Sequence, residues 1–425
     1  MFRWTHWVAW LAVALLLIGC GTLQAPNRSI ILVTVTSPPV TSATATPTEL
    51  PPSPTPTETP LPSQTPLPTE TPRPSVSLPA SLYYIGEDWQ IWRLEANGEE
   101  VSRITNEDGQ ILDFAVSPVD GSLAYVVNNN LINTDAGGAN RQVLVEGPEL
   151  PAFPDQTLNW TMLHSIAWSP DGTQIAYGLG GVNLIDPITG EIDTIRASSY
   201  STAQFTEFDP GRFYFPEAWS PDGTRLLVRI TTLPISEGFG VIDVRTRTVS
   251  TYEIADGEPV CCTASWTQDQ EGFFAANDIA VGATTGLWQV DAFSRAVETV
   301  LPGEAGGLYF RLSYPQQLDD GNLYFFMTTL ANYTPERVAL SMHRALADDI
   351  NDREMLRQDA HVIADVLWAP DGSGAIIVDI TEGYVDVTNM VLRPFIAPLL
   401  WLDTEGDPAV SFDVAGRRPT WGVTP

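Results

Sequence analysis

The segment AWSPDGTQIAYG, residues 167–178, decides the fold, because close variants of it return later in the chain. AWSPDGTRLLVR occupies residues 218–229, and LWAPDGSGAIIV occupies residues 367–378. A catalytic element has no reason to recur in this way, whereas a structural unit does. Self-similarity with a period of about fifty residues is typical of repeat proteins, including propellers.

Weaker copies of the same turn bring the number of repeats to seven. They are DFAVSPVDG (113–121), TASWTQDQEG (263–272), FRLSYPQQLDDG (310–321) and RPTWGVTP (418–425). Each copy except the last is followed by an apolar alternating run, such as QIAYGL or RLLVRI, which predicts a β-strand. Two further strand signals joined by a polar turn follow, as in VNLIDPITGEIDTIR (182–196). Four strands per repeat make one blade of a β-propeller.

The two ends of the repeat array complement each other. Residues 81–105 supply three strands without a preceding turn motif, and RPTWGVTP supplies a first strand with nothing after it. We therefore predict an all-β, seven-bladed propeller of four-stranded antiparallel blades, closed by one blade that the N- and C-terminal strands share. Such closure removes open sheet edges. Six or eight blades remain alternatives, because the turn of the second predicted blade carries an extra Val119 and that of the sixth has no tryptophan.

The repeated turn residues are interpreted as structural. Proline fixes φ near −65° at the first corner of the turn, aspartate can accept hydrogen bonds from nearby amides, and glycine takes the position where a side chain would hinder. A tryptophan just before the turn can pack between neighbouring sheets. The residues assigned to this role are Trp168, Asp171, Gly172, Trp219, Asp222, Gly223, Trp368, Asp371 and Gly372.

This W-S-P-D-G pattern resembles the TolB-like propeller repeat, and the resemblance covers most of residues 81–425. In that family the turn links the first two strands of each blade. TolB-like repeats also cap serine peptidases of the prolyl oligopeptidase class, but the chain contains no G-x-S-x-G nucleophile elbow. The resemblance therefore implies a propeller without implying a catalytic serine.

The N-terminal segment predicts export. Arg3 precedes an apolar run from Val8 to Ile18, which is short for a bilayer span and typical of a signal peptide, assigned to residues 1–19. The residues before Cys20 resemble the lipobox of bacterial lipoproteins, which implies that Cys20 is acylated and begins a lipidated N-terminus, residues 20–36. An ordinary signal peptide or an uncleaved anchor is the alternative. We expect a protein attached to the outer face of the cell membrane, at the cell surface or in the periplasm.

Residues 37–79 predict a disordered stalk. Proline, threonine, serine and glutamate dominate this segment, so it cannot form a core. Recurrent proline favours extended polyproline II, and roughly forty residues at about 3.1 Å each reach on the order of 100 Å. The propeller is assigned to residues 80–425.

Charge and composition restrict the chemistry. The formal net charge is −31, and all 21 basic residues are arginine. An acidic surface repels phosphate backbones, so nucleic acid is not expected as a partner. The absence of lysine excludes lysine nucleophiles and Schiff bases. We predict no cofactor and no metal site.

Two long loops after the second and third predicted blades, residues 146–164 and 197–216, suggest a binding surface. Their aromatic side chains alternate with charged ones, as in a binding patch, although the loops could instead bury their own rings. The predicted partner-binding residues are Phe153, Trp160, Tyr200, Phe205, Phe208, Phe213 and Tyr214. Near the central opening, Cys261 and Cys262 are expected either to form a vicinal disulfide or to remain thiols.

These features predict a tethered, non-catalytic binding or scaffold module for a cell-envelope protein or peptide. The alternative is an extracytoplasmic hydrolase or lyase that acts on peptide or polysaccharide at the central opening, with carboxylates such as Glu207, Asp209 and Glu217. Fold alone does not decide between these functions. The oligomeric state is not predicted.

Overall fold

The computed structural model describes residues 76–150, 161–199, 211–232, 236–278, 284–334, 336–381 and 396–423. All of them belong to one compact unit, Thr71–Pro425. Their regular elements are 28 β-strands, numbered in chain order. The predicted signal peptide, Cys20 and the stalk lie outside the described residues. Within the described ranges, no helix is both long and apolar enough to cross a lipid bilayer.

Five antiparallel sheets contain consecutive strands only. The first comprises β4 (Ile111–Val116), β5 (Leu123–Val127), β6 (Asn130–Thr134) and β7 (Gln142–Glu146). The second comprises β8 (His164–Trp168), β9 (Ile175–Gly178), β10 (Gly181–Ile185) and β11 (Ile192–Ala197). The third comprises β12 (Arg212–Trp219), β13 (Arg225–Thr232), β14 (Ser236–Asp243) and β15 (Val249–Thr251). The fourth comprises β16 (Thr263–Trp266), β17 (Gly272–Asn277), β18 (Gly286–Asp291) and β19 (Val297–Pro302). The fifth comprises the two-residue β20 (Glu304–Ala305), β21 (Leu308–Gln317), β22 (Asn322–Leu330), β23 (Ser341–Leu346) and β24 (Asp349–Met355).

The sixth sheet joins both ends of the chain. It contains β25 (Ile363–Trp368), β26 (Gly374–Asp379), β27 (Ala397–Asp403) and β28 (Val410–Trp421), followed by β1 (Leu82–Gly86), β2 (Ile91–Leu94) and β3 (Val101–Arg103). The first half of β28 pairs with β27, and its second half pairs with β1, where Trp421 lies opposite Leu82. β28 thus completes two blades, which gives seven four-stranded blades in all. The predicted closing blade is confirmed.

Seven hydrophobic clusters lie between neighbouring blades and account for ring closure. Each cluster of the described core combines residues of two consecutive blades, as when Ala124 and Val126 of β5 pack with Ile166 and Trp168 of β8. The last cluster joins β26 and β27 to β1 and β2. Because every blade buries apolar side chains against both neighbours, the stabilising apolar burial is continuous around the ring. The predicted strand after each turn supplies much of it, since β5, β9 and β17 are buried along their whole length.

The W-S-P-D-G turn is held by its own polar side chains. The Ser169 hydroxyl donates to Asp171 Oδ1 at 2.6 Å and accepts from the Gln174 amide at 2.9 Å. Asp171 Oδ1 also accepts from the Thr173 amide at 3.0 Å. These bonds, that from Ser169 foremost, hold the pKa of Asp171 below its usual value. Gly172 has φ of 68°, a left-handed conformation that glycine adopts without the steric cost of a side chain.

The turn tryptophans connect neighbouring blades by hydrogen bonds as well as by packing. The indole N–H of Trp219 donates to the carbonyl of Ala167 in the preceding blade at 3.0 Å. Trp368 donates in the same way to Tyr314, and Trp421 donates to Trp368. Trp168 differs, because its buried indole nitrogen has no hydrogen-bond partner among the described residues. The blade before Trp168 is the one whose turn carries the extra Val119.

A second repeated aspartate, which the sequence comparison missed, closes the turn between the third and fourth strands of five blades. In one copy Asp186 Oδ1 accepts from the amides of Ile188 and Thr189 at 2.7 and 3.0 Å. In another, Asp291 Oδ1 accepts from the Phe293 amide at 2.8 Å. The full set is Asp135, Asp186, Asp243, Asp291 and Asp403. Many acidic residues of the chain therefore stabilise turns by accepting hydrogen bonds from main-chain amides.

Candidate functional site

The first strands of five blades line a cavity of about 400 Å³ on the inner side of the ring, which we call the central cavity. Residues of β4, β8, β12, β25 and β28 line it. Its lining includes the apolar residues Phe114, Ile166, Trp168 and Trp219, whose side chains are largely buried within the blades. Its charged lining residues are Glu217, Asp365 and Arg418.

Irregular pairing along the first strands places these polar residues. The register of β12 shifts between Pro216 and Ala218, so that Glu217 bulges out of the ladder. In the closing blade, Arg418 lies where the pairing between β28 and β1 shifts, and its φ is 54°. A bulge bends a strand and re-aims the side chain at the extra residue. The propeller thus keeps regular blades and still presents charged groups at its centre.

Arg418 forms an ion pair with Asp113 of β4 across the junction of the first two blades. Its Nε donates to Asp113 Oδ1 at 2.7 Å, and its Nη2 contacts the same oxygen. Asp113 also accepts from the main-chain amides of Phe114 and Ile166, so that its carboxylate is fully engaged. The negative charge of Asp113 raises the pKa of Arg418, which therefore stays protonated in water. Arg418 keeps 41% of its side chain exposed toward the cavity.

Glu217 is compensated by a second arginine. Its Oε1 lies 2.9 Å from Nε of Arg229 in the neighbouring strand β13. The Arg229 guanidinium carbon also lies 5.3 Å from the ring centre of Phe215, a cation–π contact. Two of the three carboxylates around the cavity, those of Asp113 and Glu217, therefore have cationic partners.

Asp365 of β25 is the third carboxylate and has a different environment. It accepts a hydrogen bond from the Val366 amide at 3.0 Å, and the Arg418 amide adds a second. No arginine of the described ranges forms an ion pair with it. Removal from water raises the pKa of Asp365 above its usual value, although Arg418 and Arg417 oppose that shift. Asp365 in turn helps to raise the pKa of Tyr314, for which burial is the main cause.

Arg417 faces the opposite way from the cavity residues. Its guanidinium donates to the main-chain carbonyl of Leu112 and lies 4.9 Å from the ring centre of Trp89. Burial, aided by the nearby charge of Arg418, lowers the pKa of Arg417 to about 10. Arg417 therefore supports the strand junction, whereas Arg418 borders the cavity.

Two of the seven residues of the predicted aromatic patch lie in the described ranges, and neither is exposed. Phe213 and Tyr214 are only 1% and 2% exposed, so the prediction that they bind a partner is wrong. The reason is that β12 begins at Arg212, and both residues pair with β13 within the sheet. Phe153, Trp160, Tyr200, Phe205 and Phe208 lie outside the described residues, as do Glu207 and Asp209.

The adjacent cysteines lie at the start of the first strand of their blade. The sulfur atoms of Cys261 and Cys262 are 2.18 Å apart, as in a vicinal disulfide, and the peptide bond between the two residues is cis. The Cys262 amide donates to the carbonyl of Ala276 at 2.9 Å. Cys261 is 4% exposed.

One histidine belongs to an acidic cluster at the start of β25. His361 Nδ1 lies 3.1 Å from Asp379 Oδ2, and its Nε2 lies 3.3 Å from Asp359 Oδ2. Arg357 pairs with Asp359 at 2.8 Å and contacts Asp403. Burial alone would lower the pKa of His361, but the hydrogen bonds to the two carboxylates outweigh it and raise this pKa. Among the described residues, no group of three or more metal-ligating side chains is placed to hold an ion.

Sequence reasoning did not single out Asp113, Asp365 or Arg418, although a signal was present. Once the repeats are aligned on the turn, these residues stand three positions before Trp168 or its equivalent, together with Ser165, Pro216, Thr263 and Tyr314. The residue type at this position differs from blade to blade, whereas the turn that follows it is repeated. Variation next to a fixed scaffold is where site residues of repeat proteins are expected.

No protein-family model matches the chain, and no curated protein matches it. Solved structures that are similar to it include TolB from Acinetobacter baumannii, at 15% identity over 79% of each chain with a TM-score of 0.41. Oligogalacturonate lyase from Vibrio parahaemolyticus is 13% identical over 78% of this chain and 84% of its own, with a TM-score of 0.47. Porphyromonas gingivalis dipeptidyl peptidase 4 is 10% identical, with a TM-score of 0.44, over 73% of this chain and 46% of the peptidase. The chain thus spans less than half of that enzyme, and in all three cases the likeness is one of fold.

Proposed function

We propose that this protein is an exported, lipid-anchored propeller that binds a cell-envelope protein or peptide without transforming it. The signal segment, Cys20 and the Pro-rich stalk support export and tethering. The resemblance of the turn repeat to TolB-like propellers supports an extracytoplasmic location. The ligand site of this proposal is the central cavity.

The single observation that carries the proposal is that apolar and charged residues together line that cavity. Its volume of about 400 Å³ lies within the range of ligand sites, which is roughly 300 to 1,000 Å³. The partly exposed Ala115, Val116 and Ala218 offer apolar contacts, and Glu217, Asp365 and Arg418 offer directional polar contacts. A peptide segment presents both kinds of group.

The pairing of the carboxylates favours binding over catalysis. Asp113 is held by Arg418, and Glu217 lies against Arg229. A carboxylate whose oxygens are engaged by an arginine is less available to contact a reacting group. Ion pairs of this kind also fix side-chain positions, which prepares a surface for recognition.

The proposal is tested by capture with a blocked cavity. The full-length chain is used as bait for detergent-solubilised envelope of the native organism, beside Thr420→Trp, which adds a ring inside the cavity, and Ser294→Trp, which adds one at an exposed turn. We expect a protein or peptide that the unaltered chain and Ser294→Trp retain and Thr420→Trp loses, with unchanged thermal midpoints. Equal capture by all three chains would contradict a role for the central cavity.

A hydrolase or lyase acting at the central cavity is the second candidate, and the environment of Asp365 favours it. A carboxyl group with a raised pKa that borders a cavity is the kind of group that general acid catalysis uses. Incubation with peptide and polysaccharide mixtures, followed by mass spectrometry, tests this candidate. Products that form with the unaltered chain and disappear with Asp365→Asn would replace the binding proposal.

A further inference from the structure

Each carboxylate around the central cavity except one forms an ion pair with an arginine. The Nε and Nη2 atoms of Arg418 both contact Asp113, and Arg229 lies against Glu217. Asp365 receives only main-chain N–H groups, from Val366 and Arg418. A cation that entered this space would therefore meet one carboxylate that no arginine of the described residues holds in an ion pair.

The depth of Asp365 sets the kind of cation that can reach it. Asp365 stands three residues before Trp368, the last residue of β25 and the neighbour of the turn. At roughly 3.3 Å per residue, the carboxylate lies about 10 Å along the strand from the turn end. A simple ion would stay hydrated at that depth, whereas a cation on an apolar stem could use the walls as well.

Part of the lining could contact the stem of such a side chain. Ala115, Val116 and Ala218 line the cavity and are partly exposed, and none of them carries a polar side-chain atom. Basic side chains bury their methylene groups along apolar surface and keep the charged end in polar contact. A charge-assisted hydrogen bond to a partly desolvated carboxylate is stronger than a neutral one.

We propose that the central cavity takes one cationic side chain of a peptide, a lysine or arginine, whose charged end binds the Asp365 carboxylate. The proposal rests on the proposed function as a peptide-binding module and names the ligand chemistry of the same site. The acidic surface of the protein, with a formal net charge of −31, would attract such a peptide before it docks.

Three tripeptides test this assignment: acetyl-Ala-Lys-Ala-amide, the same peptide with norleucine, and the same peptide with glutamate. Norleucine has nearly the length of lysine and lacks the charge. Calorimetric titration of the full-length chain should give a Kd for the lysine peptide about tenfold lower than for the norleucine peptide, and weaker binding still for glutamate. Asp365→Asn should reduce the lysine preference to nearly one, and Asp256→Asn, which removes an exposed charge elsewhere, should leave it unchanged.

Equal Kd values for lysine and norleucine in the unaltered chain would overturn the inference, and so would a preference that survives Asp365→Asn. No detectable binding of the lysine peptide up to about 10 mM would overturn it as well. The comparison within the unaltered chain needs no variant, so it holds even if Asp365→Asn fails to fold. If all three peptides bind equally well, peptide binding stands and only the cationic specificity fails. If envelope capture also fails, the proposed function itself is wrong.

Discussion

A single indole N–H distinguishes otherwise equivalent tryptophans in this propeller. Trp219 donates to the carbonyl of Ala167, whereas the indole nitrogen of Trp168 has no partner among the described residues. Both side chains are buried to a similar degree, at 8% and 9% exposure. A comparison of the two positions therefore separates the hydrogen bond from the packing of the ring.

Trp219→Phe should destabilise the protein by about 1 kcal/mol more than Trp168→Phe, because only the first change leaves a buried carbonyl without its donor. Chemical denaturation of both variants measures the difference, and the loss of ring volume is the same in each. Equal losses of stability, or a larger loss at Trp168, would show that the inter-blade hydrogen bonds do not contribute as described.

His361 gives a pH dependence of opposite sign to that of the turn aspartates. Hydrogen bonds to Asp379 and Asp359 raise the pKa of His361 above its ordinary 6.5, so protonated His361 stabilises the folded state. That stabilisation is complete below pH 6.5 and is lost as the pH rises through the raised pKa. Arg357 limits it, because Arg357 already pairs with Asp359.

The free energy of unfolding, measured between pH 5.5 and 9 for the unaltered chain and for His361→Gln, should therefore show a difference that shrinks as the pH rises. The glutamine can keep a hydrogen bond but cannot titrate. Parallel curves for the two proteins would mean that His361 does not change protonation in this range.

Among the elements, β28 is the strand that belongs to two blades. It pairs with β27 through its first half and with β1 through its second half. β1 is buried along its whole length, so the edge of β1 that pairs with β28 has to stay covered. Trp421 adds a hydrogen bond to Trp368 at 2.8 Å.

A chain truncated after Ala415 should fail to form a stable monomer, because β1 would become an unpaired edge and the cluster that it shares with β26 and β27 would be exposed. A chain truncated after Val423 keeps all of β28 and serves as the control. Size-exclusion chromatography with light scattering distinguishes the two. A monomeric Ala415 truncation with an unchanged thermal midpoint would argue against closure by a shared blade.

Some elements of the fold can be predicted from the sequence, and others cannot. Trp168, Asp171 and Gly172 recur with fixed spacing, so the turn, the blade and the closing strand follow from local rules. The second turn aspartates went unnoticed because the repeats were aligned on one turn only. Phe213 and Tyr214 were misassigned because strand β12 extends further toward its N-terminus than the turn motif indicates, and the extra pairing buries them.

At the scale of the whole molecule, the central cavity exists only because seven blades close. Asp113, Asp365 and Arg418 lie in different blades and approach one another through the ring, including residues that are 305 positions apart in the chain. No local pattern brings such residues together, which is why their ion pairing could not be read from sequence. The proposed ligand site is therefore a property of the closed ring.

Photo-cross-linking of the bound ligand tests most directly whether the central cavity is the binding site. A photoreactive phenylalanine derivative is placed at Thr420 in the central cavity and, in a second chain, at the exposed Ser294, and each chain is irradiated with native envelope extract. We expect a covalent adduct with a protein or peptide from Thr420 and none from Ser294. An adduct from Ser294 alone would place recognition on the outer turns and contradict the central cavity as the binding site.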